Sequence, residues 1–270
     1  MKLYSDPRLL SLGVIHGTTD RALGNMRLAE STEALFSALD IPEQNILRFK
    51  QVHSDVLVSV SSLQEVRQIQ SQPLPEADGW VLKGSGFGAA ILTADCVPLI
   101  LWDEKAQVLG LSHCGWRGVA AGLPQKTVEK MKEMGAIGSI SAWAGPHIQS
   151  CCFEVQQDVA DQFPHCVIKK EGKLFVDLNK EISRQLILAG LLAQNIQLPH
   201  LCTCGDKLKF FPKHVFYKFP QRRSAKYIFI SNYHHAKGLF TPQIYTKSHK
   251  NRISNFYSVI IPHNHIKSSP

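Results

Sequence analysis

Apolar residues run without interruption over residues 87–93 and again over 97–102, lacking the alternation of a strand with one wet face. Such runs predict strands buried on both sides. A polar turn at 103–106 separates them from a third apolar run, 108–112, which predicts a returning strand. Shorter strands are predicted at 80–82 and at 139–143, the latter closed by Gly145-Pro146. Within 45–60 the pattern alternates, placing Val56, Val58 and Val60 on one strand face. Helical spacing appears at 31–39, where Leu35, Phe36 and Leu39 share a side behind a Ser31 N-cap. It appears again at 123–134 through Val128, Met131 and Met134, and is read at 154–163 and 178–193. Asp177 is expected to cap the last of these. Residues 71–77 form a Pro-rich loop. Strands and helices interleave, so the expected class is α/β, a single layered domain with a mixed β-sheet and flanking helices.

Charge divides the chain. Residues 207–270 hold twelve Lys and Arg and no acid, so the first 206 residues carry 30 − 12 = 18 basic against 22 acidic residues. The basic balance therefore belongs to the tail. Five prolines and mutual repulsion of the cations predict that 207–270 packs poorly against a domain formed by 1–206. The tail's aromatics, Phe216, Tyr217, Phe219, Tyr227 and Phe229, interleave with its cations as in a nucleic-acid arm; an unstructured terminus is the preferred reading. No stretch reads as a secretory leader, and the longest apolar stretch is broken by Asp95, so no membrane association and a cytoplasmic location are expected. Seven cysteines, an odd number, argue for free thiols rather than a disulfide framework.

The chemistry concentrates in Thr93-Ala-Asp-Cys96 and His113-Cys-Gly-Trp-Arg-Gly118, which flank two apolar runs. If those runs pair, Cys96 and His113 meet. Thiolate and imidazole are good zinc ligands, and a catalytic zinc takes a third protein ligand while keeping one position open. His53, also in a strand-like stretch, is the best candidate for the third. The competing reading makes Cys96 a core thiol and His113 a core histidine. Arg117 lies between two glycines and offers a planar fork for phosphate or carboxylate, or else projects from a plain turn. Gly145-Pro146-His147 leads through Cys151-Cys152 into the expected helix at 154. Amides there would suit an anion and the thiol a nucleophile, although two small buried residues are the preferred reading.

These stretches occur together in one order: Lys50-Gln51-Val52-His53, Glu76-Ala-Asp78, Asp95-Cys96-Val-Pro98, His113 to Gly118, Gly145-Pro146, Cys151-Cys152-Phe-Glu154, Asp177-Leu-Asn179 and Cys202-Thr203. The order resembles the laccase-domain polyphenol oxidase proteins, a family regarded as purine nucleoside phosphorylases and adenosine deaminases. The resemblance covers roughly residues 12–204. It implies a zinc held by His53, Cys96 and His113. It also implies action on adenosine, inosine, guanosine and methylthioadenosine, either by phosphorolysis with phosphate as co-substrate or by loss of the 6-amino group. Arg117 would neutralise phosphate, Asp95 would move a proton, and Gln51, Gly145 and Cys151 would line the substrate site. Gln149 stands where the family has glycine, and Phe153 where it has tyrosine. After Thr203 the family's aromatic-Ser-aromatic-Arg-Arg segment and Gly-Arg-Gln turn are absent, as a shifted reading frame would produce.

Three other readings remain. Copper is a possible metal, as in a polyphenol oxidase, but multicopper centres need more histidines than His16, His53, His113, His147, His165 and His200 of the body. A cysteine hydrolase would use Cys96 or Cys151 with His113. An editing role in cell-wall precursor synthesis is compatible with the resemblance. Oligomeric state and preferred nucleoside are not legible.

Overall fold

The computed structural model describes residues 4–19, 26, 28–38 and 42–205, together with the backbone of 226–232 and 258–259. In chain order the elements are α1 (Pro7–Ser11), β1 (Ile15–Thr18), α2 (Ala29–Ala38), β2 (Ile46–Leu47), β3 (Leu57–Val60), α3 (Leu63–Gln70), β4 (Gly79–Lys83), β5 (Phe87–Thr93), β6 (Val97–Asp103) and β7 (Val108–Cys114). There follow α4 (Trp116–Ala120), α5 (Leu123–Glu133), β8 (Ser141–Ala144), β9 (Glu154–Val155), α6 (Gln157–Ala160), β10 (Val167–Lys170), β11 (Lys173–Val176), α7 (Leu178–Leu188), β12 (Ile196–Gln197), β13 (Lys226–Asn232) and β14 (Ser258–Val259). The α/β class with mixed sheets is as expected.

The larger sheet has the order β12-β8-β6-β7-β4-β3, and a second the order β14-β1-β13-β5-β2. Both mix parallel and antiparallel pairs. The larger sheet is buried on both faces. On β6, Leu99 and Leu101 join one core with Val128, Met131, Ile182 and Leu186 of α5 and α7. Ile100 and Trp102 point the other way, into a core shared with Leu47, Phe87, Ala89 and Ile91 of the second sheet. That is why the sequence shows continuous apolar runs here. Gly110 lets α5 approach: a Cβ at that position would lie 2.8 Å from Thr127 Cγ2 and 2.9 Å from Met131 Sδ.

Several boundaries differ from expectation. Helix α2 starts at Ala29, so Ser31 sits inside it and does not cap it, while Leu39 lies outside the described residues. Helix α7 is capped by Asp177, whose carboxylate accepts from the Lys180 amide, and it stops at Leu188 before Gly190, whose φ is 98°. The helix expected over 154–163 is instead strand β9 and the single turn α6, because residues 154 and 155 pair with β11. The β10–β11 hairpin was not anticipated. Its signal is Glu171-Gly172, both at positive φ (52° and 73°), between apolar pairs.

The largest correction concerns the tail. Residues 226–232 are a central strand, antiparallel to β1 through 228–231 and to β5 over all seven positions. Repulsion among cations does not prevent a backbone ladder, and β1 and β5 each offer an edge that pairing satisfies. Residues 258–259 extend the same sheet on β1. Phe216, Tyr217 and Phe219, which the alternative reading as a nucleic-acid arm would use, lie outside the described residues.

Candidate functional site

Antiparallel register brings the chemistry to one end of the larger sheet. Val97 faces Cys114 and Pro98 faces His113 across β6–β7, so the turn carrying Asp95 and Cys96 lies beside the end of β7. Gly79 pairs with Ser112 and Leu57 with Gly79, which brings Asp78 and the 52–54 loop to the same end. One nitrogen of His53, one of His113 and the Cys96 sulfur all lie within 4.8 Å of one another. The two imidazoles meet edge to face with centroids 4.9 Å apart.

Asp78 holds both histidine segments. Its Oδ1 accepts from His113 Nδ1 at 2.8 Å, which leaves Nε2 for the centre. Its Oδ2 accepts from the Ser54 amide (2.6 Å), the Ser54 hydroxyl (2.9 Å) and the Val52 amide (3.2 Å). His53 lies between those two amides with φ at 62°, a left-handed conformation that is costly for histidine and is sustained by these bonds. Burial opposes ionisation of Asp78, but the bonds from His113 and Ser54 outweigh it and hold the carboxyl below its usual range. Burial likewise opposes the Cys96 thiolate, yet hydrogen bonds from His113 and His53 bring its pKa down to about 6. Burial disfavours the His113 cation, yet Asp78 and Cys96 raise its pKa to about 9. Asp78 was quoted in the motif order without a role. The signal was an acid set between residues that are fully buried, Ala77 and Trp80.

Both glycines of the Gly115-to-Gly118 segment serve close packing within the chain. A Cβ on Gly115 would lie 3.0 Å from His53 Cδ2 and 3.2 Å from Cys96 Sγ, and one on Gly118 would lie 2.9 Å from the Ser54 carbonyl. Arg117 is exposed on α4, its guanidinium 4.3 Å from the Trp116 ring. Asp95 is buried, and its Oδ1 accepts from the Thr203 hydroxyl at 2.8 Å. Gln51 spends both ends of its amide on the Leu92 backbone, at 2.6 and 2.7 Å, so it ties the His53 loop to β5.

The 145–152 stretch departs from its expected geometry. Cys151 and Cys152 lie in a turn before β9, not at a helix start, so no helix dipole acts on them. The amides of Gly145, His147 and Ile148 donate to Pro98, Leu201 and Asp95 carbonyls, leaving none of the three for an anion. Gly145 is required by packing, since a Cβ would lie 2.4 Å from Thr18 Oγ1. Gln149 is buried within a polar network: its amide meets His147 Nε2 (2.8 Å), Asn179 Nδ2 (3.1 Å) and His200 Nδ1 (3.2 Å). Burial lowers the His147 pKa to about 4, so this histidine is neutral and accepts from Gln149 through Nε2.

An α/β protein whose sheet end gathers two imidazoles, a thiolate and an orienting carboxylate has the donor set of a metal centre. The chain belongs to the multi-copper polyphenol oxidoreductase laccase family, whose pattern matches residues 16–214. It is 31% identical over 171 residues to a purine nucleoside phosphorylase of Clostridium acetobutylicum, covering 60% of this chain and 67% of that protein. It is 29% identical over 198 residues to the adenosine deaminase RL5 from an unknown prokaryotic organism, covering 69% and 76%. The fold matches the solved structure of YlmD from Geobacillus stearothermophilus with a TM-score of 0.74 at 24% identity, covering 85% of this chain and 94% of that one. No helix among the described residues is long and apolar enough to cross a membrane.

Proposed function

We propose that the protein is a zinc-dependent purine nucleoside enzyme acting on adenosine, inosine, guanosine and methylthioadenosine, by phosphorolysis, by deamination of adenosine, or by both. The observation that carries this reading is the convergence of His53, Cys96 and His113 within 4.8 Å, with Asp78 fixing the tautomer of His113. The relatives named purine nucleoside phosphorylase and adenosine deaminase support the substrate class. The residues fit the metal: two nitrogens and one sulfur make a three-ligand set, and Gly115 removes the one side chain that would crowd it. Zinc held by His53, Cys96 and His113 would supply Lewis acidity to the reaction.

The chain's own residues complete the site. Arg117, free at the surface end of its stack on Trp116, neutralises phosphate or a phosphate-like charge as it develops. The Asp95 carboxylate, next in sequence to Cys96 and already holding the Thr203 hydroxyl, handles the proton. Gln51 acts by positioning the His53 loop. Gly145 is spent on packing against Thr18 and Pro98, and Cys151 stands on the exposed turn that follows it, so neither carries a role in this reading. A cytoplasmic location is part of this reading, in keeping with seven free thiols. Purified protein incubated with adenosine, with and without phosphate, tests it: adenine formed only with phosphate marks phosphorolysis, and inosine marks deamination. Neither product from zinc-loaded protein would refute the reading.

The row Asp78, His113, Cys96 also has the order of a cysteine hydrolase, with carboxylate, base and nucleophile. Cys96→Ser separates the two: a nucleophile variant keeps its zinc, whereas a ligand variant loses it. Copper polyphenol oxidation needs further histidine centres, and among the described residues only one candidate group contains histidine.

A further inference from the structure

Outside the His53, Cys96 and His113 group, three of the six remaining thiols converge. Cys151 Sγ lies 3.5 Å from Cys152 Sγ and 3.6 Å from Cys202 Sγ, and all three sulfurs fall within 4.8 Å. Cys204 lies two residues beyond Cys202 on the same turn. Sequence spacing gave no hint of this, since an adjacent pair and a Cys-x-Cys pair stand fifty residues apart. Backbone pairing creates it: His147 and Cys202 form a parallel bridge, with the His147 amide donating to Leu201 O (3.1 Å) and the Thr203 amide to His147 O (3.0 Å). The Thr203 hydroxyl anchors the segment further on Asp95.

We propose that Cys151, Cys152 and Cys202, joined by Cys204 from the same turn as a fourth ligand, form a second, sulfur-only site for a thiophilic d10 cation, zinc or cuprous ion. A tetrahedral site with metal–sulfur bonds of about 2.3 Å has sulfur–sulfur edges of about 3.8 Å, close to the observed 3.5 and 3.6 Å. The Gly205 amide donates to Cys202 Sγ at 3.3 Å, a bond that favours a thiolate there. The adjacent Cys151-Cys152 pair is poorly suited to a disulfide of its own, because its Cα atoms are held about 3.8 Å apart by the peptide bond, shorter than the usual disulfide span of about 4.4–6.8 Å. Soft thiolates select such cations over hard ones. The ion would tie the 147–152 turn to the 201–205 turn, the last described segment before the chain reaches β13. Cys151 is exposed, so the site can load from solution.

Reduced full-length protein is loaded without oxygen with zinc alone or cuprous ion alone, and bound metal is counted. With the preferred ion the parent binds two equivalents, Cys151→Ser/Cys202→Ser binds one, and His113→Ala binds one. Zinc at ten times its Kd should also slow alkylation of Cys151, Cys152, Cys202 and Cys204 in the unmutated protein by on the order of tenfold, reversibly with chelator. The second measurement needs no variant to fold. One equivalent in the parent with both ions, or no protection of the four thiols, overturns the proposal. So does a Cys151–Cys202 disulfide that persists in reduced, metal-loaded protein. If His113→Ala loses an equivalent while the double serine variant does not, the first centre stands and this one falls.

Discussion

Replacing Asp78 by asparagine tests the claim that one buried carboxylate assembles the centre. The side chain keeps its shape and loses its charge and one acceptor oxygen. With its remaining oxygen toward His113, the new amide N–H₂ faces the Val52 and Ser54 amides, whose bonds are lost, while the Ser54 hydroxyl can turn to accept. With the amide flipped, its N–H₂ meets His113 Nδ1, which must then accept, and the imidazole proton moves to the nitrogen needed by the metal. Either orientation harms one ligand. Hydrogen bonds to a charged group contribute about 1.5–3 kcal/mol each, so losing one to two net bonds should cost the metal-free fold about 1.5–6 kcal/mol. Loss of a partner that orients a ligand typically weakens metal binding by about 10–100-fold. Zinc competition against a chromophoric chelator gives the affinity, and urea unfolding with excess chelator gives the stability of the apo form. A folded Asp78→Asn protein whose zinc affinity stays within about threefold of the parent would refute the assembly role. So would loss of stability without loss of affinity, which would make Asp78 a fold residue only.

Zinc affinity should rise with pH. The His113 pKa is raised to about 9, so its proton is held below that pH and must be displaced by the metal, giving on the order of a tenfold gain per unit between about 6 and 9. The slope steepens below about 6, where the Cys96 thiol is also protonated; a flat isothermal-titration profile from pH 6.5 to 8.5, on the order of two units, would contradict this. Gly115→Ala places a methyl group 3.0 Å from His53 Cδ2 and 3.2 Å from Cys96 Sγ, and elemental analysis should show reduced zinc in folded protein. Arg117→Ala should weaken phosphate-dependent turnover while leaving zinc content intact, and unchanged phosphate dependence in steady-state kinetics would count against its role. Truncation after residue 206 removes the strand between β1 and β5 and opens two edges, and the lost ladder bonds, at about 0.5–1.5 kcal/mol net each, together rival the stability of a typical domain of about 5–15 kcal/mol. No cooperative thermal transition is therefore expected, and a truncated protein that melts like the parent would show β13 to be dispensable.

The amino-acid sequence by itself determined much of this protein. Continuous apolar runs marked β5 and β6 as strands covered on both faces, and the structure shows why: alternate residues of β6 enter two different cores. Cys96 and His113 were legible because pairing of neighbouring runs joined by a four-residue turn is nearly dictated by chain length. His53 was legible mainly through motif order, since nothing local says that its loop reaches β7. Tertiary structure alone decided the rest. Asp78 acquires its role from two strand pairings that bring residues 54 and 113 to its two oxygens. Gln51, read as a substrate contact, turned out to be consumed by the Leu92 backbone. The thiol cluster depends on a single bridge between residues 147 and 202. The expectation of poor packing fails at residues 226–232 for a related reason. Composition reports how side chains repel one another, but a strand is placed by backbone groups that every residue carries, and two open edges, on β1 and β5, supplied partners that no local pattern could reveal.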